Sequence, residues 1–225
     1  MNILTIKAFA GLLLLFLAMA ALLFIPAGAR AWWQAWTFLS VYFTASLALP
    51  LYLVKEDPAL LQRRMRGGPT AEKEPVQKII MSIASLGFVG LLVVPALDHR
   101  FGWSRMPPYV ALAGDVLVGA GWLAIFFVFR ENSFTSAIIE LAPDQKVVSS
   151  GPYAMVRHPM YSGALVMLLG IPIALGSWWG VLIVAAFLPA LIWRLVEEER
   201  FLAKNLAGYA AYQSSVKYRL LPWAW

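Results

Sequence analysis

Two short clusters of chemically capable residues stand at the ends of one long apolar stretch. The first is Arg157-His158-Pro159-Met160-Tyr161, and the second is Arg194 followed by Glu197-Glu198-Glu199. Between them they supply guanidinium, imidazole, phenol and carboxylate groups, which suffice to orient an anion, hold a cation and accept a proton. A helical hairpin through a bilayer would return both clusters to one membrane face and make them a single site. Arg194 and Glu198 are four apart and share one helix face, with arginine first, the less favourable order for simple helix support. Acidic groups beside a bilayer tend to face a cavity or a partner. Each cluster also has a plainer reading: Arg157-His158 as an interface anchor, and the glutamates as a solvated patch at a helix exit.

The residues around the first cluster suit a helix start. Gly151-Pro152 is turn chemistry, and Pro159 fits the first helical position, where its missing N–H had no intrahelical partner. His158 then sits at the cap, where free backbone donors favour an anionic group such as a ligand carboxylate. Farther in, Gly163, Met167, Gly170 and Ala174 recur at helical spacing, a mostly small face that lets a helix or a ligand approach closely. Beyond the glutamates, Leu202, Leu206, Tyr209 and Tyr212 keep helical spacing. The aromatic, basic segment from Tyr218 to Trp223 is placed to fold over the hairpin mouth and exclude water.

The elements that must position these groups are membrane helices. The chain has 225 residues, 61% hydrophobic and 13% charged, with a mean hydropathy of +0.72. A soluble domain carries an apolar share nearer 45–50%, so the fold class expected is an all-α integral membrane protein. About six spans follow from apolar runs near the ~20 residues a bilayer core requires: 4–25, 32–54, 78–97, 108–129, 159–176 and 177–195. The last two are divided only by Gly176-Ser177 beside Trp178-Trp179, which implies a tight interfacial hairpin. Residues 1–130 form an N-terminal part of four spans with a loop at 55–77. Residues 131–225 form the hairpin and a cytoplasmic C-terminal segment. Within the loop, Leu60, Leu61 and Met65 can share a face opposite basic residues, as a short interfacial helix or as a solvated basic loop.

Six spans with a cytoplasmic N-terminus leave only Arg30, Arg100 and Arg105 of the 18 basic residues outside. That asymmetry is the positive-inside pattern. Both termini are then cytoplasmic, in the inner or plasma membrane if the source is bacterial. The first span could instead be a signal peptide, with Ala27-Gly28-Ala29 as a small-x-small cleavage site, though its apolar run is long for one. The net charge of +6 is thus topological, and no nucleic-acid partner is expected. With no cysteine, and with His99 and His158 far apart, no metal site is expected. Gly119-Ala-Gly121-Trp-Leu-Ala124 matches a dinucleotide-binding string but lies inside an apolar span, where helix packing is the better reading.

Taken in order, Gly151-Pro-Tyr153, Arg157-His-Pro-Met-Tyr161, Arg194, Glu198-Glu199, Leu202, Tyr209, Tyr212 and Pro222 make the C-terminal third resemble the isoprenylcysteine carboxyl methyltransferase family. The Asp57-Pro58-Ala-Leu-Leu stretch also looks familial. Where the commoner pattern after the glutamates is Phe-Gly-x-x-Tyr, this chain reads Leu206-Ala-Gly-Tyr209, one residue shorter. The resemblance implies a membrane methyltransferase using S-adenosylmethionine, with the cofactor enclosed by the last hairpin and the C-terminal segment. It implies cofactor contacts from Gln145, Lys146, Val147, Val148, Tyr153, His158, Pro159, Met160, Tyr161 and Glu198. It makes Arg194 the residue that meets the acceptor's carboxylate, and the acceptor a lipophilic small molecule arriving from the bilayer.

A carboxylate acceptor needs no general base, whereas an amine or thiol would call on His158 or Glu199. Arg194 and Glu199 are therefore the expected catalytic pair. Phospholipid and small-thiol methylation are variants of the same reading. A sterol-type NADPH-dependent reductase, which shares a similar Arg-His-Pro-x-Tyr hairpin, and a non-enzymatic membrane protein are the competing classes.

Overall fold

The computed structural model describes residues 3–225, and among them the regular structure is entirely helical. Eight α-helices are present among the described residues: α1 (Ile3–Ala27), α2 (Trp33–Glu56), α3 (Pro58–Arg64), α4 (Pro75–Phe101), α5 (Pro108–Glu131), α6 (Pro159–Ala174), α7 (Trp178–Asn205) and α8 (Tyr209–Ser215). A short 3-10 turn, Gly151–Ala154, precedes α6. Local chemistry accounts for the boundaries. Pro58, Pro75, Pro108 and Pro159 each open a helix. Asp57 caps α3 by accepting from the Leu60 N–H at 2.9 Å, and Ser177 caps α7 by accepting from the Gly180 N–H at 3.0 Å.

Five helices are long and apolar enough to cross a membrane: α1, α2, α4, α5 and α7. The sixth expected span is shorter than anticipated. Helix α6 has 16 residues and ends at Ala174, about 24 Å of helix against a hydrocarbon core of ~30 Å. Helix α7 has 28 residues, about 42 Å, so its last turns, which carry the glutamates, reach past the bilayer. The expected tight turn is present as Leu175-Gly176-Ser177, with Gly176 at φ 79°. A buried carboxylate anchors it: Asp98, at the end of α4, accepts from Ser104 Oγ at 2.6 Å and from Ser177 Oγ at 2.5 Å.

The bundle is tightest between α5 and α6, which meet backbone to backbone. A Cβ on Gly121 would lie 2.7 Å from the Gly163 carbonyl oxygen and from the Met167 nitrogen, and one on Gly170 would lie 2.8 Å from the Gly114 oxygen. The dinucleotide-like string is therefore helix-packing sequence, and the small face of α6 takes a helix. By contrast α6 and α7 are close only in part, even though they form the hairpin; α7 packs mainly on α4. The space left between α6 and α7 at their charged ends is where the site lies. The core beneath it includes Phe38, Leu91, Leu92, Ile171 and Leu195, while α1 presents Leu13, Leu14 and Ile25 outward.

Candidate active site

Helices α2, α5 and α7 end, and α4 and α6 begin, at one end of the bundle. A cavity of about 420 Å³ opens there, within the ~300–1,000 Å³ typical of small-molecule sites. Its deep wall is apolar, with Met81, Trp122, Ile125, Phe129 and Met167 beside Tyr42. Trp122 lies nine residues from the end of α5, so the cavity reaches about 13 Å into the helical layer. Its mouth is polar and aromatic.

Eleven of the twelve residues expected at the site line this one cavity: Gln145, Lys146, Val147, Val148, Tyr153, His158, Pro159, Met160, Tyr161, Arg194 and Glu198. The decisive link between the hairpin helices is Tyr161 Oη, which donates to Glu198 Oε2 at 2.6 Å across the cavity. The wall formed by 132–148 is irregular backbone, and the chain braces it from elsewhere. Arg63 donates to the Ser133 carbonyl, and Arg64 to the Ser136 carbonyl at 2.6 Å. Gln145 folds back to accept from the Ala142 N–H at 2.9 Å. Asn132 Nδ2 donates to Tyr153 Oη at 3.0 Å, and Tyr212 Oη donates to the Tyr153 carbonyl at 2.8 Å.

Arg194 lines the cavity but already has an internal counter-ion. Its guanidinium lies 2.8 Å from Glu72 Oε1, and it donates to Gln77 Oε1 at 2.9 Å and to the Ala137 carbonyl at 3.3 Å. Glu72 is 4% exposed, so this pair is desolvated. Arg194 and Glu198 share the cavity-facing side of α7, as their spacing predicts, but the ion pair of Arg194 is with Glu72 from the loop before α4.

Glu199 occupies a different place from Glu198. It is outside the cavity lining and 5% exposed. Arg157 Nε donates to its Oε1 at 2.7 Å, His158 Nε2 lies 3.2 Å from the same oxygen, and Arg219 Nε donates to Oε2 at 2.9 Å. Both oxygens are thus committed to holding cations, and His158 is held by the same carboxylate, which leaves neither with the free geometry of a general base. The hub clasps the C-terminal segment. The Arg157 and His158 N–H groups donate to the Tyr218 and Arg219 carbonyls, each at 2.9 Å, and Ser162 Oγ donates to the Leu220 carbonyl at 2.6 Å. Arg157 Nη1 reaches the carbonyls of Gln213, Val216 and Lys217. The segment from Tyr218 does fold back across the start of α6.

Leu206, Tyr209 and Tyr212 form a small buried cluster with Val147 and Tyr153 on the side of the cavity walled by 145–148. Burial pushes the Tyr153 and Tyr209 phenols well above their usual range and Tyr212 up to about 12. Burial also pulls the Arg64 guanidinium below its ordinary value. The sequence reading missed Arg64, Glu72, Gln77 and the Ser136 brace. Arg64 stood only as one basic residue of a surface loop, and nothing local marks Glu72, whose partner is in the last membrane helix.

Residues 109–208 match the phospholipid methyltransferase family model. That stretch runs from α5 through α7 and carries Tyr161, Arg194 and Glu198, with the whole 132–148 wall. The match indicates a methyltransferase, in agreement with the multi-pass helical architecture. No curated protein matches the chain.

The residues present suit S-adenosylmethionine. A carboxylate, Glu198, borders a cavity ringed by Tyr153, Tyr161, Tyr209 and Tyr212, and anionic and aromatic groups together favour a cation. Tyr209 Oη is buried with no hydrogen-bond partner, and so is Trp122 Nε1. Both residues border the cavity, and buried donors of this kind ordinarily find a partner.

Proposed function

We propose that this chain is a membrane-embedded methyltransferase that uses S-adenosylmethionine to methylate a lipophilic acceptor drawn from the bilayer, with a phospholipid amine as the first candidate. The carrying observation is the Tyr161–Glu198 pair spanning a cavity that is polar at its mouth and apolar at depth. The family match over 109–208 favours the phospholipid amine. The motif set from Gly151 to Pro222 favours a second acceptor, an isoprenylcysteine carboxylate. The excess of basic residues at the cavity end supports a cytoplasmic mouth.

When bound, S-adenosylmethionine supplies a methyl group on a sulfonium, open to in-line displacement. The chain's own residues bind, align and keep water out, which is most of the help such a displacement needs. Glu198, oriented by the Tyr161 hydroxyl, offers its remaining lone pairs to a cationic amine or a ribose hydroxyl. Gln145 to Val148, Tyr153 and Tyr209 form the facing wall, and the clasped C-terminal segment covers the start of α6. An amine acceptor sheds a proton around the transfer, and Glu140 and Glu198 are carboxylates bordering the cavity that can take it.

The test is binding followed by transfer. Detergent-solubilised protein should gain thermal stability with S-adenosylhomocysteine and not with NADPH, and Glu198→Gln should abolish that gain. Tritiated methyl from S-adenosylmethionine should then appear in phosphatidylethanolamine, or in a prenylcysteine on the second reading. Stabilisation by NADPH alone would sink the methyltransferase reading, and undiminished S-adenosylhomocysteine binding by Glu198→Gln would remove the role of that carboxylate.

A further inference from the structure

Two guanidinium groups border the cavity besides that of Arg157, and their electrostatic situations differ. Arg194 is neutralised from within by Glu72 at 2.8 Å. Arg64 has no carboxylate within ion-pairing distance among the described residues. Its Nη1 donates to the Ser136 carbonyl, and its plane lies over the Phe129 ring at 4.9 Å to the centroid. That leaves donors of a five-donor fork unused beside the cavity. Glu198 acts on Arg64 only from beyond contact range. A half-buried cation with no carboxylate in contact is costly to hold, and an anion arriving from outside the chain relieves that cost.

Its position indicates which anion. Helix α3 continues directly from membrane helix α2, and Leu60 and Leu61 bury into an apolar cluster with Leu53, Ile125 and Phe129. Arg64 therefore stands on the membrane-side wall. The Tyr209–Tyr212–Val147 cluster forms the other wall, beside the loop at 145–148. An acceptor whose tail lies against Ile125 and Phe129 carries its head to Arg64.

We propose that Arg64 is the specificity-determining residue that binds the acceptor's oxyanion, a phosphate diester or a carboxylate. This rests on the methyltransferase reading for the identity of the acceptor, but anion binding itself is measurable without turnover. The phosphate of a phospholipid and the carboxylate of a prenylcysteine share the feature that the guanidinium fork reads. The internal ion pair assigns Arg194 a positioning role, holding Glu72 and the 132–148 wall.

The experiment uses the full chain in nanodiscs, as wild type, Arg64→Gln, Arg64→Lys and Arg194→Gln. Equilibrium binding is measured with lysophosphatidylethanolamine, N-acetyl-S-farnesylcysteine and S-adenosylhomocysteine, alongside acceptor KM where turnover occurs. Arg64→Gln should weaken the anionic acceptor probe by roughly tenfold to a hundredfold, the loss expected for a charged hydrogen-bonding group. Arg64→Lys should recover only part of that, and S-adenosylhomocysteine affinity should stay within about twofold in both. The probe that wild type binds tells phosphate from carboxylate. Equal loss of S-adenosylhomocysteine affinity in Arg64→Gln, an unchanged affinity for the acceptor probe, or no binding of either anionic probe by wild type would each overturn the proposal. So would a larger acceptor-binding loss in Arg194→Gln. Failure of the methyltransferase reading shows separately, as wild type that binds an anionic probe through Arg64 but never S-adenosylhomocysteine.

Discussion

Replacing Glu199 by Gln should release the C-terminal segment without filling or emptying any space. The carboxylate is 5% exposed and serves Arg157 at 2.7 Å, His158 at 3.2 Å and Arg219 at 2.9 Å. Removing one partner from a buried ion pair costs ~3–5 kcal/mol, because the other charge stays buried and uncompensated. Arg157, at 9% exposure, is that stranded charge. Arg219 is partly solvated and glutamine still accepts a hydrogen bond, so the lower end, about 3 kcal/mol, is expected here. If the loss falls on local opening of the clasp, it is a change of roughly a hundredfold in the opening equilibrium. Amide exchange read by mass spectrometry at Arg157 and His158 reports it directly, since their N–H groups donate to Tyr218 and Arg219. Glu197→Gln is the control: its pair with Arg200 is 2.7 Å long but exposed, and such pairs are worth ~0–1 kcal/mol. Unchanged exchange at those two amides in Glu199→Gln, or equal acceleration in both variants, would refute the role of the hub.

Two further outcomes follow from packing and burial. Gly121→Ala would drive a Cβ into the backbone of Gly163 and Met167 and should lower stability by ~1–3 kcal/mol. Gly11→Ala, inside α1 with nothing within 4 Å, should leave the melting temperature unchanged or raise it slightly, alanine being the better helix former. Burial raises Tyr212 from an ordinary value of 10.0 to about 12, so the folded state holds its proton more tightly than the unfolded state. That contribution to stability is complete below about pH 10 and is lost as pH rises towards about 12; alkaline thermal melts should decline over this window, less steeply in Tyr212→Phe.

What the sequence revealed and what it hid divide along contact range. The apolar runs located α1, α2, α4 and α5 to within about four residues at each end, because a bilayer forces the backbone to satisfy itself along the segment. Helix α7 runs about ten residues past the expected end, to Asn205, where polar helix outside the bilayer carries no hydropathy signal. Helix α6 starts at Pro159, as expected, and stops two residues before the expected end, where the Gly176 turn sets in. Tyr161 and Glu198 were legible because the hairpin returns them to one end, a consequence of topology alone. The pairing of Arg194 with Glu72 and the bracing of Ser136 by Arg64 were not. Those partners lie in different elements with no periodicity linking them, and only the tertiary path of the loops around α3 brings them together. Glu199 shows a further limit: one residue from Glu198 on the same helix, it faces another direction, towards Arg157 and Arg219 instead of the cavity.

The clasp on the C-terminal segment reads main chain almost throughout. Arg157 Nη1 faces three backbone carbonyls, two backbone N–H groups take two more, and Ser162 takes the carbonyl of Leu220. Only Arg219 contributes a side chain to the hub itself. A grip of this kind fixes the path and the length of what it holds while leaving its composition free away from Arg219 and the core-buried Leu220. Tails of different sequence could be exchanged onto this scaffold, provided each keeps an arginine at the position of Arg219, an apolar side chain at that of the core-buried Leu220, and the same number of residues between α8 and these two. The segment is in that sense a partly interchangeable part, able to drift in sequence without altering the cavity, whose lining ends at Tyr212.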